Sequence, residues 1–371
     1  MSVPTLCMIF EHITATNAIG KVAIAGIKVA LEAGWSVTAV ANTLDETLQS
    51  QVEWLPLTVP KRLYLVKWLT ARHYMKQALG SRTFDVVHAH QPQAASLADV
   101  YQCHFITRAA MKRHSLKDGD GVRATLNAMQ IRAAVYAEDY YYRHWNPNTR
   151  MLYDSELTRR DFHDTYGPLP VESVQVYACP DLDFPSDEEK REARCRLVGT
   201  DYKGPILGYL GGLNERKGYR KLLAAMERDK GLFLLMGGMY TENFAAPALA
   251  GRFRAVGPVR DVASFYAACD VFIVPSDYEP LGLVAFEAAA RGVPVIATEQ
   301  VGALKHLREY GVGEVWRPSE SLEPLVERLI AQRKRVRDGA CRMAADMGQK
   351  RYGEQLLSVY AEVMNSRGIS Q

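Results

Sequence analysis

Two glutamates eight positions apart, Glu279 and Glu287, lie in the segment Val271-Phe-Ile-Val-Pro-Ser-Asp-Tyr-Glu-Pro-Leu-Gly-Leu-Val-Ala-Phe-Glu287. It reads as strand, loop and helix. The apolar run ends at Pro275, and the loop carries Asp277 and Glu279 at the strand's carboxyl end. Leu281-Gly282-Leu283 then opens the helix. A glycine there lets a ligand approach the backbone closely, and the N–H groups of a helix start favour a phosphate or pyrophosphate. Glu287 falls one turn inside the helix. Its carboxylate can accept two hydrogen bonds from vicinal hydroxyls such as those of a ribose. The plainer reading is a pair of helix-start carboxylates that offset the macrodipole.

Leu207-Gly-Tyr-Leu-Gly-Gly-Leu-Asn-Glu-Arg-Lys-Gly218 reads as a strand, a glycine turn and a helix. Gly211 and Gly212 permit close backbone approach, and Arg216 and Lys217 supply cations beyond them. A departing nucleoside diphosphate gathers negative charge at its β-phosphate. A fixed cation stabilises that charge more in the transition state than before it. Solvated helix-start charges are the plain alternative. No D-x-D pair sits at a strand end to hold a metal-bound nucleotide, and no Walker A motif is present, which disfavours ATP hydrolysis.

Other segments fit beside these: Gly292-Val-Pro-Val-Ile-Ala-Thr298, Asp85-Val-Val-His-Ala-His90 and Asp154-Ser-Glu156. Over nearly its whole length the chain resembles the family-four retaining glycosyltransferases of GT-B fold, and its organisation resembles bacterial lipopolysaccharide-core and other envelope-glycan enzymes. The resemblance implies that Glu279 contacts donor sugar hydroxyls, Glu287 holds the ribose and Lys217 stands at the diphosphate. It adds Gly211, Gly212, Arg216, Leu281, Gly282 and Leu283 to the donor site, with Gly20 in the loop after the first strand beside the donor phosphates. His104, ending the strand-like run at 100–104, would face the reaction centre. His88 and His90 are read as structural. Gly212 stands where many members have an arginine, with Arg216 as the substitute. Lys305 stands where many have an acid. The implied chemistry is metal-independent and needs no cofactor beyond the nucleotide-diphosphate sugar as co-substrate. Attack is from the front face, without a covalent enzyme intermediate.

The elements that must position these residues alternate along the chain. Strand-like runs at 6–10 and 36–41 bracket a helical pattern at 22–32 that stops at Gly34, the form of a βαβ unit with a parallel sheet. Runs at 84–88 and 151–153 extend this half. A second set at 206–210, 233–236, 271–275 and 293–298 follows the turn-rich 180–185. The expectation is an α/β chain of two doubly wound, Rossmann-like domains facing a central cleft. Residues 1–180 would bind the acceptor and 181–348 the nucleotide sugar, with a helix in 349–371 returning to the first domain. Ligands of such sheets bind beyond the carboxyl ends of the strands.

The 371 residues suit two domains at roughly 150 residues each. Apolar residues are 48% and charged residues 23%, which excludes collagen-like, coiled-coil and disordered classes. The 45 Lys+Arg against 42 Asp+Glu call for no nucleic acid. Six cysteines without a C-x-x-C pair signal neither zinc nor a disulfide scaffold and suit a reducing, cytoplasmic compartment. The first residues read as a buried strand rather than a signal peptide, and no apolar run is long enough to span a bilayer. Between Glu53 and Asp85 lie Lys61, Arg62, Lys67, Arg72, Lys76 and Arg82, interleaved with aromatics and with no acid, and Arg108 begins a second basic group. Such a stretch suits an anionic membrane surface or a lipid-linked acceptor, or is a solvated face. The expected partners are a nucleotide-sugar donor and a glycan or lipid-linked acceptor. Two alternatives stay open: an epimerase or hydrolase of nucleotide sugars on the same fold, and a non-catalytic nucleotide- or glycan-binding protein.

Overall fold

Short apolar runs become the strands of two parallel sheets in the computed structural model, which describes residues 3–58, 64–113, 122–175, 180–199 and 202–368. The chain divides into two compact units, Met1–Tyr177 with Gln349–Gln371, and Ala178–Gly348. The first unit contains β1 (Thr5–Ile9), β2 (Ser36–Ala41), β3 (Glu53–Pro56), β4 (Val86–Ala89), β5 (Val100–Cys103), β6 (Arg150–Tyr153) and β7 (Glu172–Val174). They lie side by side in the order β3-β2-β1-β4-β5-β6-β7. The second unit contains β8 (Ile206–Leu210), β9 (Phe233–Gly237), β10 (Phe253–Ala255), β11 (Val271–Val274), β12 (Val295–Ala297) and β13 (Gly313–Val315), ordered β10-β9-β8-β11-β12-β13. Both sheets therefore reverse direction beside their first strand, the doubly wound pattern whose switch point binds ligands at the strands' carboxyl ends.

Helices cover both faces of such sheets, so the strands are buried on each side and read as continuous apolar runs. Leu207, Leu234, Met236, Val271, Ile273 and Ile296 share one core of the second unit with Leu222, Met226 and Trp316. In the first unit, Leu6, Met8, Val40 and Val86 have no accessible surface.

The helix Ala18–Glu32 begins at Asn17, whose Oδ1 accepts from Gly20 N at 3.0 Å. It is followed by Gly34 at φ +81°, which a side chain would disfavour. The last helix, Gln349–Ser366, belongs to the first unit and lies against this one. A Cβ on Gly353 would sit 3.0 Å from Val29 Cγ2, and one on Gly26 would sit 3.4 Å from Leu356 Cδ2. The two helices thus approach through glycines. Among the described residues no helix is long and apolar enough to cross a membrane.

Candidate functional site

The loops after β8 and β11 meet at the carboxyl end of the second sheet. After β8 the chain makes a short turn, Glu215–Lys217, started by Asn214 and closed by Gly218 in the left-handed conformation. A Cβ on Gly218 would lie 1.8 Å from Pro275 O, so only glycine lets this turn reach the loop after β11. Several contacts fasten them. Asp277 N donates to Arg216 O at 2.8 Å. The Arg216 guanidinium donates to Tyr278 O. Lys221 pairs with Asp277, and Lys217 pairs with Glu279.

Glu279 is the centre of this cluster. Its side chain is 14% exposed, and Arg216 Nη1 stands 3.4 Å from the same oxygen that Lys217 holds. Burial pushes the carboxyl up, but the Lys217 and Arg216 charges outweigh it and hold it below its ordinary value. The backbone of Glu279 is clamped as well. Its N–H donates to Gln300 O and its carbonyl accepts from Gly302 N, each at 2.9 Å. Gly282, at φ +91°, then opens the helix Leu283–Ala290. Leu281 is buried and its carbonyl accepts from Ala303 N, while Leu283 is half-buried. The first N–H groups of that helix have no carbonyl one turn earlier within it.

Glu287 lies in the second turn of this helix. Tyr266 Oη donates to its Oε2 at 3.1 Å and to Val284 O at 3.2 Å. Burial pushes the Tyr266 phenol up, and the Glu287 charge adds to it. No spacing in the sequence links Tyr266 to Glu287, because the link is across the sheet's helical layer.

The N–H groups of Gly211 and Gly212 both donate to Gly237 O at 3.2 Å, and a Cβ on Gly212 would lie 2.6 Å from Met239 O. The turns after β8 and β9 thus approach each other closely at these glycines. Tyr209 Oη explains the other glycine, since it donates to Gly212 O at 2.9 Å and would stand 2.5 Å from a Cβ on Gly211. One sequence expectation needs correction: Gly20 is not in a loop. It lies in the first turn of Ala18–Glu32, where its N–H is taken by Asn17 and a Cβ would lie 2.5 Å from His12 O.

In the first unit, His104 follows β5 and is 8% exposed. Its Nε2 is 2.9 Å from His90 Nδ1, and its Nδ1 is 3.7 Å from Asp154 Oδ2. His90 stacks on His88 with ring centroids 4.5 Å apart, and His88 Nδ1 is 2.8 Å from Tyr360 Oη on the last helix. Burial, with the His104 charge adding to it, holds the His88 imidazolium down, to a pKa of about 3. His90 is lowered for the same reason, with the charges of His88 and His104 adding to burial. His104 is therefore the outer member of a buried row of imidazoles. Asp154 beside it was not singled out as its partner from sequence.

Arg108 is not a bare cation. Its guanidinium makes a two-pronged pair with Asp139, with Nε to Oδ1 at 3.0 Å. Arg82 pairs with Glu53 at 3.3 Å, and Arg72 Nε donates to Ser96 Oγ at 2.8 Å. Lys67 lies in the helix Tyr64–Leu79. Lys61 and Arg62 lie outside the described residues. Among the described residues no group of three or more His, Cys, Asp or Glu side chains is arranged to hold a metal ion.

Residues 204–332 match the family model described as glycosyl transferases group 1. The lipopolysaccharide core biosynthesis glycosyltransferase LpsE of Rhizobium meliloti (strain 1021) is 35% identical over 118 residues, 30% of this chain and 35% of that protein. The D-inositol 3-phosphate glycosyltransferase of Mycobacterium bovis (strain BCG / Pasteur 1173P2) is 26% identical over 307 residues, 75% of this chain. The chain spans 61% of that relative's length. Sucrose-phosphate synthase from Thermosynechococcus elongatus has a similar structure, with TM-score 0.75 and 18% identity over 98% of this chain and 100% of that one. The Anabaena protein HepE in complex with UDP-glucose aligns with TM-score 0.71 and 16% identity over 96% of this chain and 99% of that one. These likenesses give the fold class, GT-B. The residues matched by the glycosyl transferases group 1 model hold β8 to β13 and the loops that carry Arg216, Lys217, Glu279 and Glu287.

Proposed function

We propose that this protein moves a sugar from a nucleotide-diphosphate sugar to a hydroxyl of a glycan or lipid-linked acceptor, with retention at the anomeric carbon and without a metal. The observation that carries the reading is the Lys217–Glu279–Arg216 cluster at the carboxyl end of β8 and β11, one loop before a helix N-terminus. A diphosphate needs fixed cations and backbone N–H groups together, and a sugar needs a carboxylate beside them. UDP-glucose bound to the structurally similar HepE supports a nucleotide sugar as the donor class.

The bond between the anomeric carbon and the diphosphate oxygen breaks with its electron pair going to the leaving phosphate. Lys217 and Arg216 stabilise that charge as it grows. Glu279 positions the sugar hydroxyls, and Glu287, set by Tyr266, takes the ribose diol. The acceptor oxygen attacks the same face that the phosphate leaves. Its proton passes to the departing phosphate oxygen, so charge balances without a covalent intermediate.

The work belongs to envelope polysaccharide or lipopolysaccharide synthesis, at the cytoplasmic face of the membrane. The lipopolysaccharide-core relative and the basic stretch that holds Lys67, Arg72 and Lys76 support that setting. The test is transfer from UDP-, GDP- and ADP-sugars to a lipid-linked glycan in excess EDTA, with the product's anomeric configuration read by NMR. Retained configuration with EDTA present is the expected result. Inverted product, or activity lost in EDTA and restored by Mg²⁺, overturns the corresponding part.

A further inference from the structure

The turn after β9, Gly237-Gly-Met-Tyr-Thr241, is built in an unusual way. Thr241 closes it, with N and Oγ1 both donating to Gly238 O, at 3.4 and 2.8 Å. The third residue of such a turn, when left-handed, is normally glycine or asparagine. Here it is Tyr240 at φ +66°, and among the described residues it is the one non-glycine residue with positive φ. A Cβ is sterically disfavoured in that region. Packing does not offset the cost, because Tyr240 is 72% exposed and Met239 beside it 63%. A strained backbone that holds an aromatic ring out into solvent calls for a use of the ring.

The turn's surroundings indicate that use. Gly238 N donates to Gly257 O at 2.8 Å, and Leu213 N donates to Met239 O at 3.2 Å. The turn is therefore pinned between the loop that leads to Lys217 and the segment Gly257-Pro-Val-Arg260. All three follow strands β8, β9 and β10 at the carboxyl end of one parallel sheet, where a nucleotide binds. The anchoring is by backbone, so the ring's base is fixed while its faces stay open.

We propose that Tyr240, with the Met239 thioether at its side, is the platform on which the donor's nucleobase stacks. This rests on the nucleotide-sugar reading above and adds the residue that takes the base. Every base has a π-face, so stacking supplies affinity without choosing among bases. The thioether widens the platform, as sulfur packs well at ring edges.

The experiment is calorimetric titration of the full chain with UDP, GDP, ADP and inorganic pyrophosphate, for wild type, Tyr240→Phe and Tyr240→Asn. Phenylalanine keeps the π-face and should bind the cognate nucleotide as wild type does. Asparagine tolerates the left-handed backbone and has no ring. It should bind that nucleotide about 5- to 100-fold more weakly, bind pyrophosphate unchanged, and melt no lower than wild type. A purely structural tyrosine would give the reverse, a lower Tm with the ratio of nucleotide to pyrophosphate affinity preserved. If wild type binds a nucleotide and Tyr240→Asn matches it within about twofold, the platform is wrong and the donor reading stands. If wild type binds none of the three nucleotides, both fall together.

Discussion

Gly218→Ala is the substitution whose cost can be worked out most directly. Gly218 has φ +75° and ψ 23°, and an added Cβ would stand 1.8 Å from Pro275 O. Real Cβ contacts stay beyond 3.0 Å, so the backbone of one loop must yield by 1.2 Å, the difference of the two distances. The left-handed conformation costs an alanine about 1–2 kcal/mol, and forcing the loops apart costs about 1–3 kcal/mol more. For a unit of this size the sum should lower Tm by about 5–15 °C. The same movement pulls Lys217 from its place beside Glu279, and a misplacement near 1 Å lowers turnover about 10²-fold. Calorimetric unfolding and transfer rate on the same preparation measure both. Gly218→Asn is the discriminating control. Asparagine accepts the dihedral angles but carries the same Cβ, so it should fail almost as badly. Alanine with unchanged Tm and rate would show that the two loops are not held at the distance described. Asparagine restoring wild-type behaviour would show that the dihedral, not the collision, sets the requirement.

Lys217→Ala should lower the transfer rate about 10²-fold, the scale of one lost transition-state donor, and weaken the bare nucleoside diphosphate. Glu279→Ala should also lower transfer but leave bare-diphosphate affinity equal or higher, since it removes the carboxylate that holds Lys217; equal weakening in both variants would refute the division of roles. Tyr266→Phe should weaken nucleoside diphosphate about 3- to 10-fold and leave pyrophosphate unchanged, through loss of one hydrogen bond to Glu287; parallel loss for both ligands would exclude a ribose role. His88 titrates at about 3 in the folded chain against 6.5 unfolded, so between those values the unfolded chain binds the extra proton. Its share of stability is complete above pH 6.5 and declines as pH falls, by about 1.4 kcal/mol per unit. Urea denaturation from pH 7.5 to 5 should therefore show a flatter acid limb for His88→Asn, and an identical slope would contradict the buried neutral ring.

Much of the fold was legible because parallel strands advertise themselves. The runs at 36–41 and 206–210 are the observed Ser36–Ala41 and Ile206–Leu210, and the tail pattern from 349 became Gln349–Ser366. Helix starts were less legible. The first helix begins four residues before its apolar pattern does, at Ala18, because Asn17 rather than an apolar residue sets its start. Gly20 was misplaced for that reason. Strand β3 was not read at all, since Glu53–Pro56 is mostly exposed at the sheet edge and lacks a buried run. In the site, local spacing located Glu279 and Glu287 relative to Gly282. It could not give contacts between separate helices, such as Tyr266 with Glu287. Glycine carried an ambiguous signal. Gly211, Gly212 and Gly218 mark close approach to the backbone, and the neighbours that come close include Tyr209, Met239 and Pro275 of the same chain, respectively.

The pairing of Lys217 with Glu279 is the contact that sequence could least supply, and it alters how both residues are understood. Each is three-quarters or more buried, and an isolated charge there would be costly to desolvate. Placing them together offsets that cost in each residue by the other's charge. A diphosphate entering beside Lys217 and Arg216 would bring more negative charge than one carboxylate can, so the cations would gain a stronger partner. Glu279 would then lose part of its own counter-charge at the moment sugar hydroxyls arrive to donate to it. On the proposed function, the pair therefore keeps both groups fixed and satisfied without substrate, and substrate exchanges one set of partners for another with little net burial of bare charge. That physical role requires both residue types at one place in the fold, whereas a sequence shows them only as a cation and an acid sixty-two positions apart.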